Sequence, residues 1–385
     1  MRLLIDLLYI TNSEPSGIKK YGFKLATDIP KYAEGNEVGV LCNELLLDYV
    51  VSEIGQRFNY IVVSNKERNL LGKDYSTFRE CFSEKACIIE SYDFVISTCA
   101  NYPVALFSPY VKHVGVIHDL QMLKLMWRAR NFIRTIYRYF DIKRRIKKLD
   151  YIVAISKQTQ LAVKKFANKE SKIIYYALEP PTREESKPEG FPFGDNEQFI
   201  LDVNTFYRYK NADLLLNAFA IIHKDYPSYR LYFKGNYNEE FDRLPKLAES
   251  LGILNKVHFD LSKLSENEIS WLYSNASIFV SPSKMEGFGA TPIESITHNT
   301  PVIVSNIDTL KEVVKDCGVF FDPNNAEELA CKIKDEICNP TPEGELNRRK
   351  NVILELYSRK KQVNNKFNQK IELNDKHTYT PHHIN

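Results

Sequence analysis

The sequence predicts an α/β protein made of two doubly wound domains with parallel sheets. Three observations carry that prediction. Short apolar runs rich in Val, Ile and Tyr alternate with longer helical stretches over nearly the whole chain, the pattern of parallel sheets covered by helices on both faces. A charged stretch over residues 179–198, with Pro180, Pro181, Pro188 and Pro192, divides the alternation in two and reads as an interdomain linker. With 385 residues the chain is also long enough for each half to bury its own core.

The elements follow in order. The start, Met-Arg-Leu-Leu-Ile-Asp, reads as a buried strand from Arg2 to Leu7, because Asp6 interrupts the apolar run far short of a signal peptide or a membrane span. Further strands are expected at Val38 to Cys42, Tyr60 to Val63, Phe94 to Ser97, His113 to Ile117, Tyr151 to Ala154 and Lys172 to Tyr176. They complete a first domain over residues 1–178. The second domain, residues 199–350, is expected to hold strands at Phe199 to Val203, Leu231 to Lys234, Val257 to Asp260, Ser277 to Val280, Val302 to Ser305 and Val319 to Phe321. Residues 351–385 read as a C-terminal helix packing back on the first domain, with a frayed tail from Asp375. Domains joined in this way are expected to face each other across a cleft at the carboxyl ends of their strands, where ligands of open α/β sheets bind.

Composition narrows the class. A chain with 44% hydrophobic and 26% charged residues, and no run of about eighteen apolar residues, is expected to be soluble and cytoplasmic. Seven cysteines with no C-x-x-C pair point away from a zinc site and a disulfide framework. The net charge of +3 says little, but its placement is uneven. Between Met122 and Leu149 ten Lys and Arg residues stand against one acid, Asp141, with Trp127, Phe132, Tyr137, Tyr139 and Phe140 among them. This segment, residues 122–149, suits peripheral contact with an anionic membrane surface. It also fits an ordinary helix with a solvated charged face. No recognition motif accompanies the charge, so a nucleic-acid partner is not expected.

The chemistry concentrates in Ser281-Pro-Ser-Lys-Met-Glu-Gly-Phe-Gly-Ala-Thr-Pro-Ile-Glu294, where an apolar strand gives way to a loop with two glycines and then a helix. Glycines admit close backbone approach, and the free N–H groups of a helix start attract anions. Thr291 reads as the N-cap, Pro292 as the first helical residue and Glu294 as the partner of a capping box. Taken alone, Glu294 could be only a cap and Glu286 only a loop carboxylate.

The longer stretch from Val280 to Asn306, followed by Lys311-Glu-Val-Val and Phe321-Asp-Pro, resembles the donor-binding half of family 4 retaining glycosyltransferases of the GT-B fold, with two Rossmann-like domains. Val203-Asn-Thr-Phe-Tyr-Arg-Tyr-Lys-Asn211, Val116-Ile-His-Asp-Leu120, Ala154-Ile-Ser-Lys-Gln-Thr159 and Pro15-Ser-Gly-Ile-Lys-Lys-Tyr21 resemble further landmarks of that family, in the same order. The resemblance covers roughly Met1 to Lys370. The chain departs from the pattern at Ser16, Asn204 and His298-Asn299, and it carries Thr205 where many relatives carry an arginine.

What the resemblance implies is a transferase that moves a sugar such as mannose, rhamnose or glucose from a nucleotide-sugar to a glycan or lipid-linked glycan, in bacterial cell-surface polysaccharide synthesis at the inner face of the membrane. No metal and no cofactor are implied, since the nucleotide-sugar is a co-substrate. Arg208 and Lys210 would neutralise the leaving diphosphate, helped by the amides of Gly287, Phe288, Gly289 and Ala290. Glu294 would hold the ribose hydroxyls. Glu286 and His118 would act at the sugar and the reacting centre, and Ser16 and Gly17 would form the loop beside diphosphate and acceptor. Retention is expected by front-face attack, in which the donor phosphate takes the acceptor's proton. The alternatives are a degenerate member that binds glycan or a partner transferase, and a nucleotide-sugar epimerase or a phosphorylase of the same fold.

Overall fold

A computed structural model describes residues 1–12, 17–32, 35–99, 108–120, 132–178, 180–181, 184–194, 197–358 and 362. The chain divides into two compact units, Met1–Ala177 with Arg359–Asn385, and Leu178–Ser358.

The first unit holds a seven-stranded parallel sheet of strands β1 (Arg2–Asp6), β2 (Glu37–Asn43), β3 (Asn59–Val63), β4 (Phe94–Ser97), β5 (Lys112–Ile117), β6 (Tyr151–Ala154) and β7 (Lys172–Ile173). Their order is β3-β2-β1-β4-β5-β6-β7. The chain thus winds outward from β1 to β3, then returns to lay β4 on the free edge of β1, pairing Leu3 with Phe94 and Asp6 with Ser97. Right-handed crossovers in opposite directions place helices on both faces. One face packs Leu4, Leu41, Ile61 and Val95 against Phe78, Ala86 and Ile89 of the helices after β3. The same face, farther along the sheet, packs Ile117 and Ile152 against Ile142, Ile146 and Val163. Burial on both faces explains why these strands read as continuous apolar runs rather than alternating ones.

The second unit repeats the plan with six parallel strands: β8 (Gln198–Val203), β9 (Tyr229–Lys234), β10 (Val257–Asp260), β11 (Ile278–Ser281), β12 (Val302–Ser305) and β13 (Val319–Phe321), in the order β10-β9-β8-β11-β12-β13. Its core joins Ile200, Leu231, Phe233, Ile278 and Val280 to Leu215, Leu216 and Phe219 of the helix Ala212–Ile222.

One segment does more than the expectation allowed. The described part of residues 179–198 packs on the second unit rather than serving only as a tether. Phe191 stacks on Tyr232 at 5.6 Å and meets Trp271 edge-on at 4.9 Å, and Phe193 reaches Tyr232 and Phe199. One buried and one half-buried aromatic ring outweigh the surrounding prolines and charges. The last described helix, Glu343–Tyr357, also belongs to the second unit, where Tyr357 donates its hydroxyl to Val313 O at 2.9 Å and meets Phe288 edge-on. Residues 363–385 lie outside the described residues.

The basic segment is described from the helix Phe132–Lys148 onward; residues 121–131 lie outside the described residues. Thr135, Ile142, Arg145 and Ile146 face inward. Tyr137 and Phe140 stay 71% and 61% exposed, beside exposed Arg138, Arg144, Lys147 and Lys148. No described helix is long and apolar enough to cross a membrane.

Candidate functional site

In the second sheet the winding reverses between β8 and β11, and the loops leaving these two strands meet. Open parallel sheets bind ligands at such a reversal, outside the carboxyl ends of the strands. After β8 the chain passes Asn204, whose N–H is taken by Lys234 O at 2.8 Å, and closes a 3₁₀ turn, Arg208–Lys210. Asn211 then adopts a left-handed conformation at φ 64°, which an asparagine tolerates well. Its side-chain amide donates to Pro282 O at 3.0 Å and Pro323 O at 2.9 Å, and Lys284 N–H donates to Tyr209 O at 2.8 Å. Together these bonds clamp the turn after β8 onto the loop after β11.

The clamp brings Lys210 onto Glu286. The ammonium donates to both carboxylate oxygens, at 2.8 and 2.9 Å, with the two side chains only 16% and 10% exposed. The loop backbone is held in turn by Thr309, whose hydroxyl donates to Glu286 O at 3.1 Å. A little-hydrated ion pair keeps both partners in one geometry, and leaves a costly charge behind if either is removed.

Beyond Glu286 the structure corrects the expected capping box. The helix spans Ala290–Thr297, its N-cap is Gly289, and no side chain caps it. Gly289 sits at φ 91°, and a Cβ there would lie 2.6 Å from Leu310 Cδ2, so the position demands glycine twice over. Pro292 therefore stands at the third helical position, still within the turn whose N–H groups have no intrahelical partner. Freed from capping, the Glu294 carboxylate accepts the Tyr273 hydroxyl at 3.2 Å. Phe288 commits its ring to Tyr357, at 5.6 Å and edge-on, which anchors the loop. Arg208 opens the same turn as Lys210 but is exposed, with its backbone N–H bonded to Glu240.

The structure adds one neighbour that the motifs do not point to. Asp202, the penultimate residue of β8, is 1% exposed. Burial pushes its pKa up to about 7, against the lowering effects of the Asn204 amide and Lys210, while Glu286 raises it further. A lone Asp ending an apolar strand is the clue the sequence holds. The first sheet shows the same feature at its own reversal, where burial pushes Asp6 up to about 6 although Leu8 N–H and the Ser97 hydroxyl both bond it at 2.9 Å.

His118 lies in the first unit, just past β5. It is 7% exposed, with Nε2 2.7 Å from Thr98 O and the ring edge-on to Tyr21 at 4.9 Å. A carbonyl only accepts, so Nε2 carries the proton and Nδ1 is left as the acceptor. Burial holds the ring neutral by lowering its pKa to about 4. Such a group can accept a hydrogen bond from a hydroxyl. Gly17 opens the helix Gly17–Tyr32 and is exposed, and a Cβ added there would meet no atom within 4 Å. Ser16 lies outside the described residues. Among the described residues no cluster of three or more His, Cys, Asp or Glu side chains could hold a metal ion.

The chain is similar to known proteins in sequence and in fold. The O-antigen chain mannosyltransferase RfbU of Salmonella typhimurium is 27% identical over 221 residues, 57% of this chain and 59% of that protein. The chain spans less than two thirds of the length of the curated relatives it matches first. Among solved structures, sucrose-phosphate synthase from Thermosynechococcus elongatus superposes with a TM-score of 0.71 at 16% identity, covering 97% of this chain and 98% of that one. Anabaena Alr3699/HepE in complex with UDP and glucose superposes with a TM-score of 0.71 at 15% identity, over 95% and 98%. At such identity the likeness is one of fold, two Rossmann-like units of the GT-B class. Residues 183–353 match the family described as Glycosyl transferases group 1. These residues, just under half of the chain, are similar to that family.

Proposed function

We propose that this protein is a retaining family 4 glycosyltransferase that moves a hexose from a nucleotide-sugar to a growing glycan in cell-surface polysaccharide synthesis. The observation that carries the reading is the Lys210–Glu286 pair at the strand reversal of a glycosyl transferases group 1 unit. The similarity to a mannosyltransferase favours mannose among the candidate sugars.

In this reading the donor diphosphate lies beside Lys210 and the uncapped start of the helix Ala290–Thr297, where fixed positive charge and free N–H groups replace a metal ion. Lys210 exchanges a Glu286 oxygen for phosphate oxygens. Glu286, released on one side, stabilises positive charge developing at the anomeric carbon. Glu294 takes the ribose hydroxyls, and Nδ1 of His118 accepts a hydrogen bond from a sugar hydroxyl. Acceptor attack occurs on the face the diphosphate leaves, and the phosphate takes the acceptor's proton, so no protein base is needed. The exposed aromatic and basic face of the helix Phe132–Lys148 would rest on an anionic membrane carrying a lipid-linked acceptor.

The test is turnover of a panel of radiolabelled nucleotide-sugars with membrane glycolipid acceptors, with the anomeric configuration of the product read by NMR. Transfer with retention supports the proposal. Binding without turnover across the panel would favour the degenerate, glycan-binding alternative.

A further inference from the structure

The chemistry above leaves Asp202 without a task. It is 1% exposed and shares its sheet face with Ile200 of the apolar core. Oδ1 accepts from Asn204 Nδ2 at 3.2 Å, whereas Oδ2 is buried with no hydrogen-bond partner among the described residues. A bare carboxylate oxygen in such surroundings is expensive. Neighbouring elements supply little relief. Lys234 on β9 donates its ammonium to Ser262 O at 2.6 Å and lies 3.7 Å from Asp260, and Asp213 on the helix Ala212–Ile222 is held by Arg243 at 2.8 Å. The charges that act on Asp202 are Lys210, from its own loop, and Glu286, from the loop after β11.

Lys210 is matched by Glu286, so Asp202 sits beside a pair with no net charge. A bound diphosphate brings two negative charges to Lys210 and leaves Glu286 less neutralised. An ionised Asp202 would then add a further negative charge, buried and close to both. We propose that Asp202 is a positioning residue that takes up a solvent proton when a nucleotide-sugar binds, so that as a neutral acid it leaves the charge of Lys210 to the phosphates. The proposal rests on the donor-site reading above. Asp202 already titrates near neutrality before ligand arrives, so the ligand's charge moves it across the working pH range. By linkage, affinity falls as pH rises wherever the complex holds more protons than the free protein.

Calorimetric titration of the full chain with a nucleotide-sugar at pH 7.5, in buffers of low and high ionisation enthalpy, counts the protons exchanged. The nucleotide-sugar has no group that titrates near neutrality, so the count belongs to the protein. The expected result is uptake of a fraction of one proton, with affinity falling about three- to tenfold between pH 6.5 and 8.5. Asp202→Asn, or Asp202→Ser should the first variant melt early, is expected to bind with no uptake and a flat pH profile. Wild-type binding without uptake overturns the proposal by itself, as does equal uptake in the variants. Failure of the wild type to bind any nucleotide-sugar overturns the donor-site reading, and this proposal with it.

Discussion

Lys210 holds Glu286 through both carboxylate oxygens, although the two residues are 76 positions apart in sequence. The contact ties the first loop of the second unit to the loop after its fourth strand. It also keeps two little-hydrated charges satisfied by one another.

Removing one member should therefore damage stability as well as activity. Lys210→Ala is expected to lower kcat/KM for nucleotide-sugar turnover by at least about 100-fold, the scale of a lost transition-state charge contact. It should also lower stability by about 1–3 kcal/mol, because Glu286 is left little hydrated and unpaired. Glu286→Gln in the same background should restore more than half of that stability and none of the activity. Denaturant melts and steady-state kinetics on the single and double variants measure both, and a double variant no more stable than Lys210→Ala would show that the pair is not the cause.

Gly289 should tolerate no side chain. Alanine at φ 91° is strained, and its Cβ would meet Leu310 Cδ2 at 2.6 Å. Gly289→Ala is expected to destabilise the protein by about 1–3 kcal/mol. Leu310→Ala creates its own cavity, yet it should recover part of the loss when combined with Gly289→Ala, because it removes the clash and leaves only the backbone strain. Additive losses in the double variant would count against the clash.

These two sites show what can be read in the sequence. Every expected strand forms, because strands of a sheet buried on both faces are short apolar runs bounded by polar turns, a pattern that survives without any tertiary information. The last strand of the first unit is shorter than expected, ending at Ile173 rather than Tyr176. The start of the helix after Gly289 is not legible, because Thr291 and Glu294 have capping-box spacing, whereas the start is set by a left-handed glycine that must clear Leu310. Composition hides the packing of residues 179–198, since Phe191 and Phe193 stand among prolines and charges and find their partners only in the folded unit. Asp202 escapes notice for a related reason. Its importance comes from proximity to Lys210 and Glu286, which spacing along the chain does not encode.

His118 should give the first unit a pH dependence of its own. Its folded pKa of about 4 lies below the ordinary value of 6.5, so between these limits the unfolded chain binds more protons than the folded one. Its contribution to stability is therefore fully present above pH 6.5 and is lost as pH falls toward 4, by on the order of 3 kcal/mol in all. Asp6 and Asp202 work in the opposite sense, since their raised values favour the folded state at low pH and lose that contribution as pH climbs through about 6 and 7. Subtracting the melting profile of His118→Gln from that of the wild type between pH 4 and 7 isolates the histidine. A difference that does not grow with pH over this range would mean that the ring is not held neutral by burial.

The outer face of the helix Phe132–Lys148 offers the last prediction. Its inner stripe is settled by Ile142 and Ile146 in the core, and Arg145 is bonded to Asp141 at 2.7 Å, so the exposed residues are not needed for folding. Tyr137 and Phe140 stand outward at 71% and 61% exposure with Arg138, Arg144, Lys147 and Lys148 around them. An anionic bilayer complements that arrangement, with the rings at headgroup depth and each cation contributing about 1 kcal/mol near the surface. Sedimentation with phosphatidylglycerol vesicles, but not with phosphatidylcholine vesicles, is therefore expected and should weaken as salt rises. Replacing both Tyr137 and Phe140 by Ala should reduce partitioning about tenfold, since two apolar contacts are lost, while leaving the melting temperature almost unchanged. Replacing Arg144 and Lys147 by Glu should abolish the preference for anionic lipid. Equal binding of wild type and both variants would remove this helix as the contact and leave its charges as an ordinary solvated face.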